Sequence, residues 1–581
     1  MTQTTTTKPA GGSGFRVLPG LTRHNWYTEA VAGITLVAIA VPLNIGYAQI
    51  AGLPPTAGLY SLIVPAIVFA LLASTRQLIA SPDAAAAALI ASSLVGLAGA
   101  GTHEYVELAL AQALIAGVMF AVIGVFKLGF LANFLSEPIL IGFVGGLALD
   151  ILVSQIAKML GVKVNSGDDF IPRVGELFSG LGTTNIWSVL ISVGSIAILV
   201  LGRRFASRIP WALVVLVVTT VVLVLTGLAS DGVDVLGKVQ AGPPSLTWPQ
   251  ISFSKWVELI PSAFALVLVT MAEGLLVARR YAEKHGYEVN ADRDLLAFGA
   301  ANVASGVTGG FTIGSSASRT AAIDATGSRT QLPAIVAGVL TLLLVIFGTG
   351  LLTDIPSPAI GAIVAVAVAP LLGIRDFIRL WRLRRFEFAV GAVCFLGAVL
   401  LGPIIGIIIA FFLSLINLAA RAAHPPVDIL GLNGAPAESA RARHIESVMT
   451  APGVIVLRFA APVFFANAVV FTESVHRVVK AGLDEGLAHL VIDCEVVSDI
   501  DVTAAKVIGE TADWVRAKEV TFDYSRVRRE LRGVLEEFEL IGPARIFESN
   551  REAEAVLTRS PTASGDSPTS DSPSDMPPAT S

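Results

Sequence analysis

Cysteine and histidine are scarce, two and seven respectively in 581 residues. So few donors exclude a disulfide framework and argue against a His/Cys metal centre. Cys394 falls in an apolar run and Cys494 in a β-rich one, so the two are not expected to pair. Charge is equally thin: Asp, Glu, Lys and Arg make up 15% of the chain against 54% hydrophobic residues. With a mean hydropathy of +0.73, that composition excludes an ordinary water-soluble protein and implies many membrane spans. Glycine-rich phosphate loops, nucleophile elbows and metal-ligand spacings are missing, so neither an enzyme nor a cofactor is expected. The net charge of −5 says little about partners. The basic clusters fall in short loops, where topology explains them, and nucleic-acid binding is left without support. Residues 1–25 lack the apolar core of a signal peptide and read as a disordered cytoplasmic lead.

What the chain does have is a long series of apolar segments. They recur at 28–50, 56–73, 83–99, 105–126, 136–161, 186–202 and 209–228. A second series follows at 259–280, 291–307, 316–327, 332–352, 358–373, 386–402 and 403–421. Of these fourteen, the third and the tenth are short, the equivalent place in two inverted sets of seven. The expected fold is therefore a mostly α membrane protein with 14 transmembrane segments arranged as a 7+7 inverted repeat. Short loops carrying Arg76, Lys127, Arg203, Arg204 and Arg208, Arg279, Arg280 and Lys284, and Arg375 to Arg385 alternate with loops poor in bases. That bias puts both termini in the cytoplasm. The domain limits read as 26–422 for the membrane region, 423–442 for a linker, 443–558 for a cytoplasmic α/β domain and 559–581 for a disordered tail.

Two stretches at membrane depth do not suit lipid. Thr308 to Thr330 reads TGGFTIGSSASRTAAIDATGSRT, rich in glycine and hydroxyl groups and carrying the cation Arg319. An interrupted helix is tolerated in a bilayer only where its freed backbone lines a cavity or is buried in protein. Gly309, Gly310 and Gly314 suit an extended piece, and Ser316 onward suits a helix start. Arg76 to Ala91, RQLIASPDAAAAALIA, repeats the device: Gln77 to Ala80 extended, Ser81 as N-cap, Pro82 as first helical residue, Ala84 to Ala88 as strong helix formers. Helix N-termini aimed at the midplane offer unpaired N–H groups and partial positive charge to an anion. The bland alternative is close helix packing through small residues.

Single polar residues complete the candidate list. Glu273 is the acid inside the eighth segment, either a proton-carrying group or half of a structural ion pair, with Arg319 as its expected partner. Asp83 reads as helix-dipole stabilisation and Asp150 as structural or gating. Pro42 kinks the first segment, leaving Asn44, Tyr47 and Gln49 near the break. Tyr47 either closes over a ligand or is an interfacial aromatic, and Asn302 is either a ligand or helix–helix glue.

These pieces together resemble the sulfate permease (SulP) family of anion transporters. The matching residues are Pro42 with YAQIAGLPPTAGLYS, the SPDAA turn, Glu273, DLLAFGAANVASGVTGGF and IGSSASRTAAIDATGSRTQL; VIDCEVVSDIDVTAA resembles a STAS domain. The resemblance implies a homodimer in the inner (plasma) membrane, with a core domain (first to fourth and eighth to eleventh spans) moving against a gate domain. It places a small anion by Tyr47, Ala84, Ala85 and Ala86, and Ser318 and Arg319; the residues near the two breaks add Asn44, Gln49, Ser316 and Ala317 to the candidate substrate-binding set. The expected activity is secondary active transport of sulfate, a related inorganic anion or a small carboxylate. Bicarbonate or C4-dicarboxylate carriage, an anion channel and a membrane-anchored STAS scaffold are the alternatives. Four departures matter. Leu43 stands where many relatives have Gln, and Ser81 replaces a Gly. Glu273 with Val277 replaces the Asp and Thr of sodium-coupled members, which puts the proton ahead of sodium as coupling ion. Val502 stands where phosphorylated STAS domains carry Ser, and it cannot accept phosphate.

Overall fold

The computed structural model describes residues 18–130, 136–165, 170–206, 209–431, 436–440 and 449–558. Most of the expected amino-terminal lead, Arg208, the first six residues of the expected α/β domain and the tail 559–581 lie outside the described residues.

Every apolar segment carries a helix. In the first series these are α1 (Trp26–Ile50), α2 and α3 (Pro55–Tyr60, Val64–Leu72), α4 (Ala84–Leu94), α5 (His103–Val125) and α6 (Glu137–Leu160). A short helix α7 (Phe170–Ser179) then precedes α8 (Ile186–Phe205) and α9 (Trp211–Thr226). In the second series α10 (Phe253–Glu258) leads into α11 (Ile260–His285), followed by α12 (Ala291–Val307), α13 (Ala317–Ala325), α14 (Leu332–Phe347) and α15 (Ser357–Val368). Then come α16 (Ile374–Leu383), α17 (Arg385–Leu400) and α18 (Pro403–Ala423). Among the described residues, six helical stretches are long and apolar enough to cross a membrane, and the α7–α8 pair, bent by 114°, passes as one more. The half-length members are α4, with 11 residues, and α13, with 9.

Helix packing sorts these elements into two groups. One holds α1, α3, α4, α5, α11, α12, α13 and α14; the other holds α6, α8, α9, α15 and α17. Small residues set the distances. A Cβ on Gly299 of α12 would lie 2.9 Å from the carbonyl oxygen of Gly117 on α5, so that crossing is closed to any side chain. The groups meet where α1 touches α9 and α15 and where α4 touches α6.

From Leu415 onward the chain forms a second compact unit. Its sheet runs β4 (Pro436–Ser439), β3 (Val427–Leu430), β5 (Val454–Phe459), β6 (His489–Asp493), β7 (Thr521–Ser525), β8 (Ile546–Phe547) in spatial order. Strands β5 to β8 are parallel, while β3 runs antiparallel to both β4 and β5. Residues 423–442, read as a linker, thus contribute two strands. Val427 and Ile429 are fully buried in the domain core, an alternation too short to stand out beside Pro425 and Pro426. Helices α19 (Ala468–Leu483), α20 (Val502–Arg516), α21 (Arg529–Glu537) and α22 (Asn550–Leu557) cover the sheet, as parallel strands demand.

Candidate functional site

The two interrupted stretches meet. Ahead of α4, β1 (Ala80–Ser81) pairs antiparallel with β2 (Gly314–Ser315) ahead of α13, matching Ala80 with Ser315 and Ser81 with Gly314. Equivalent pieces of two inverted halves come together antiparallel, as an axis in the membrane plane requires. A further backbone bond from Ser316 N to the Ile79 carbonyl (3.0 Å) extends the crossing. Gly314 allows it, because a Cβ there would lie 2.1 Å from Asp83 Oδ2.

Polar side chains, of which sequence reasoning singled out only Asn302, hold these non-helical segments in place. Gln331 Nε2 donates to the carbonyls of Thr75 (3.1 Å) and Leu78 (2.8 Å). Thr320 Oγ1 accepts from Ile79 N at 3.1 Å. Phe311 is gripped from two sides: its N–H donates to Ser61 Oγ (3.0 Å), and its carbonyl accepts from Ser305 Oγ (2.6 Å). Asn302 accepts from Ile313 N (2.9 Å) and donates to Ile313 O (3.2 Å), which satisfies backbone that no helix ladder pairs, and it also donates to Phe298 O (3.0 Å) within α12. The signal in the sequence was their type and place, an amide or hydroxyl on an apolar run flanking a glycine-rich break.

The helix starts differ from the reading in one respect. Ser316 caps α13 as expected, its Oγ accepting from Arg319 N (3.4 Å). On α4 the cap is Asp83, not Ser81: Asp83 Oδ1 accepts from Ala86 N at 2.7 Å, and the helix begins at Ala84 rather than Pro82. The physical reason is that Ser81 is drawn into the strand pairing, where its hydroxyl accepts from Arg319 Nη1. Arg319 is 1% exposed and lies 5.6 Å from the Tyr47 ring centroid, within cation–π range. Its Nε is buried without a hydrogen-bond partner.

The expected pairing of Arg319 with Glu273 is not formed; no ion pair joins them among the described residues. The guanidinium is committed to Ser81 and Tyr47, while the carboxylate that interacts with Glu273 is Asp83. Glu273 itself is half-buried on α11.

The remaining candidates divide. Tyr47, Ala84, Ala85 and Ser316 are buried around Arg319 and the start of α4, and Ala317 and Ser318 are exposed at the start of α13. Asn44 is fully buried and turns to α2, donating to Gly58 O at 3.1 Å. Gln49 lines a separate cavity and accepts from Lys158 Nζ (3.2 Å). Asp150 forms an ion pair with Arg173 at 2.8 Å. In the second unit Asp501 caps α20 through Ala504 N (2.7 Å), leaving Val502 73% exposed at the helix start where a phosphate acceptor would have to stand.

A helical membrane region with two crossed half-helices, followed by an α/β domain, is the architecture of a membrane transporter with an appended α/β domain. Family comparisons agree. Residues 28–394 match the sulfate permease family and residues 447–553 match the STAS domain. A probable sulfate transporter of Mycobacterium tuberculosis (strain H37Rv) is 33% identical over 523 residues, covering 89% of this chain and 93% of its own. Probable sulfate transporter 3.3 of Arabidopsis thaliana is 27% identical over 91% of this chain and 88% of its own. Among solved structures, murine Solute Carrier 26 family member A9 superposes with a TM-score of 0.81 at 21% identity, covering 95% of this chain and 96% of that one. The transmembrane domain of a cyanobacterial bicarbonate transporter, BicA, gives 0.59 at 20% identity, covering 68% of this chain and 100% of that one. The chain belongs to the sulfate permease family, with a STAS domain at its carboxyl end. The named relatives are transporters, not enzymes.

Proposed function

We propose that this anion transporter is a secondary active carrier of sulfate or a related oxyanion, coupled to protons and working by alternating access. The supporting observation is the crossing itself: two helix N-termini and the buried guanidinium of Arg319, whose Nε has no protein partner. A desolvated donor without a partner is costly unless a ligand supplies the acceptor. Ala84 and Ala85 leave room at one helix start, and Ser316, Ala317 and Ser318 offer N–H and hydroxyl donors at the other. Tyr47 covers the guanidinium. Asn44 holds the kinked helix, and Gln49 belongs to the access cleft.

In this reading the anion is carried by the α1–α5 and α11–α14 group as it moves against the α6–α9 and α15–α18 group. Glu273 takes the coupling proton: it is within electrostatic reach of Asp83, where two like charges disfavour each other and one proton relieves the pair. The carrier sits in the plasma (inner) membrane as a homodimer with both termini in the cytoplasm, and the STAS domain acts on assembly or rate. The domain limits are 26–422 for the transport region and, with β3 and β4 counted in, 427–558 for the STAS domain. Sulfate leads because the relatives above are named for it. A bicarbonate carrier is the second reading, favoured by the likeness to BicA. Uptake by proteoliposomes of labelled sulfate, bicarbonate, fumarate and chloride, with and without a pH gradient, tests this. Sulfate uptake driven by an inward proton gradient and accelerated by trans anion is the expected outcome; gradient-independent flux without trans-acceleration would indicate a channel.

A further inference from the structure

The two helix groups do not close on each other everywhere. A cavity of about 800 Å³ lies between them. Gln49 and Ile50 of α1 and Ala88, Ala91 and Ser92 of α4 form one wall, and Asp150, Ser154 and Lys158 of α6 form part of the other. Ala88 is one helical turn from Ala84, and Gln49 lies two residues beyond Tyr47, about 3 Å along the axis. The cleft therefore leads from the crossing toward the membrane face on which α1 and α6 end.

Lys158 stands out among the charged groups lining it. Asp150 is engaged by Arg173, and Asp234 and Lys163 are exposed near the mouth. Lys158 is half-buried with no carboxylate partner among the described residues, and its ammonium donates to the neutral Gln49 Oε1 at 3.2 Å. A cation in the last turn of α6 is favoured by the helix dipole, yet the dipole leaves two of its three donors unused. Gln49 and Lys158 also belong to opposite helix groups, so the bond spans the interface that must separate.

We infer that Lys158 forms a second anion-binding station in this cleft, where an inorganic oxyanion or small carboxylate displaces Gln49 from the ammonium before reaching Arg319. The inference rests on the carrier reading above. An ammonium at a low-dielectric constriction concentrates anions on its own side only. The station therefore acts on one face of the membrane, whereas the crossed half-helices serve both.

The test compares Lys158→Gln and Lys158→Arg with the unaltered protein, using labelled sulfate in right-side-out and inside-out vesicles. For Lys158→Gln, half-saturation from the face opposite the termini should rise about tenfold. Half-saturation from the other face should stay unchanged, which also shows that the variant folds. Lys158→Arg should fall near the unaltered protein. No rise for Lys158→Gln, or an equal rise from both faces, would overturn the station while leaving the carrier intact. An unaltered chain that moves no anion from either face would overturn both.

Discussion

The starts of α4 and α13 occupy equivalent places in the two halves, yet their chemistry is opposite. At α4 an acid, Asp83, caps the helix, and the first turn is alanine. At α13 a neutral serine caps it, and the third residue is the buried Arg319. One end thus supplies space and the other supplies charge. A symmetric pair of arginines would repel across the crossing, and a symmetric pair of acidic caps would reject an anion. The asymmetry leaves net positive character on one side, and Ser81, on the alanine side, holds the arginine in place.

Replacing Arg319 by Ala should break this division most severely. A charge-assisted contact to a desolvated anion is worth about 1.5–3 kcal/mol, so half-saturation of anion uptake should rise by well over tenfold. Unchanged affinity would remove Arg319 from the site. Gly314→Ala should come next. The added methyl would press on Asp83 Oδ2, and losing that cap would lower stability by about 1 kcal/mol, read as a reduced thermal midpoint in detergent. An unaltered midpoint would mean that the acidic cap is dispensable.

The two carboxylates near the crossing can then be told apart. Glu273→Gln should flatten the pH dependence of uptake, since an amide cannot carry the proton. Asp83→Asn should keep a pH dependence, because Glu273 still carries the proton and Asn caps a helix as well as Asp, but displace it, because the neighbouring like charge is gone. The reverse pattern would move the proton to the cap. A smaller pH effect belongs to the STAS domain and must be separated from that profile. Burial, with Lys480 nearby, holds His476 below the usual histidine range, and burial, with Arg545 nearby, does the same for His489. Folding therefore favours their neutral forms, and the unfolded chain binds more protons as pH falls. The resulting stability is present above about pH 6.5 and declines below it. Corrected for the intrinsic fall of amide exchange with pH, protection in β6 and α19 should weaken slightly from pH 7 to 5.5, and unchanged protection would exclude both groups.

Much of this was legible in one dimension. Apolar runs of membrane length gave the helices, and glycine with hydroxyl residues in mid-membrane marked both breaks. Ser316 and Arg319 could be placed because their spacing from the break sets which turn they occupy. The cap on α4 was misplaced because Ser81, Pro82 and Asp83 all suit a helix start, and only the pairing of Ser81 with Gly314 decides among them. Asn302, Ser61, Ser305, Thr320 and Gln331 were ambiguous for a related reason. Their partners are backbone atoms up to 256 residues away, and an amide or hydroxyl on an apolar run does not name its acceptor.

By itself the sequence determined that this chain lives in a membrane, where it breaks its helices, and that a cation sits beside one break. Those follow from local chemistry: apolar length, backbone freedom and the cost of charge in lipid. Tertiary structure alone decided that Arg319 turns to Ser81 and Tyr47 rather than to Glu273, and that Lys158 meets Gln49 across a cleft. Which buried charge faces which partner depends on how distant segments cross, and no pattern along the chain encodes that angle.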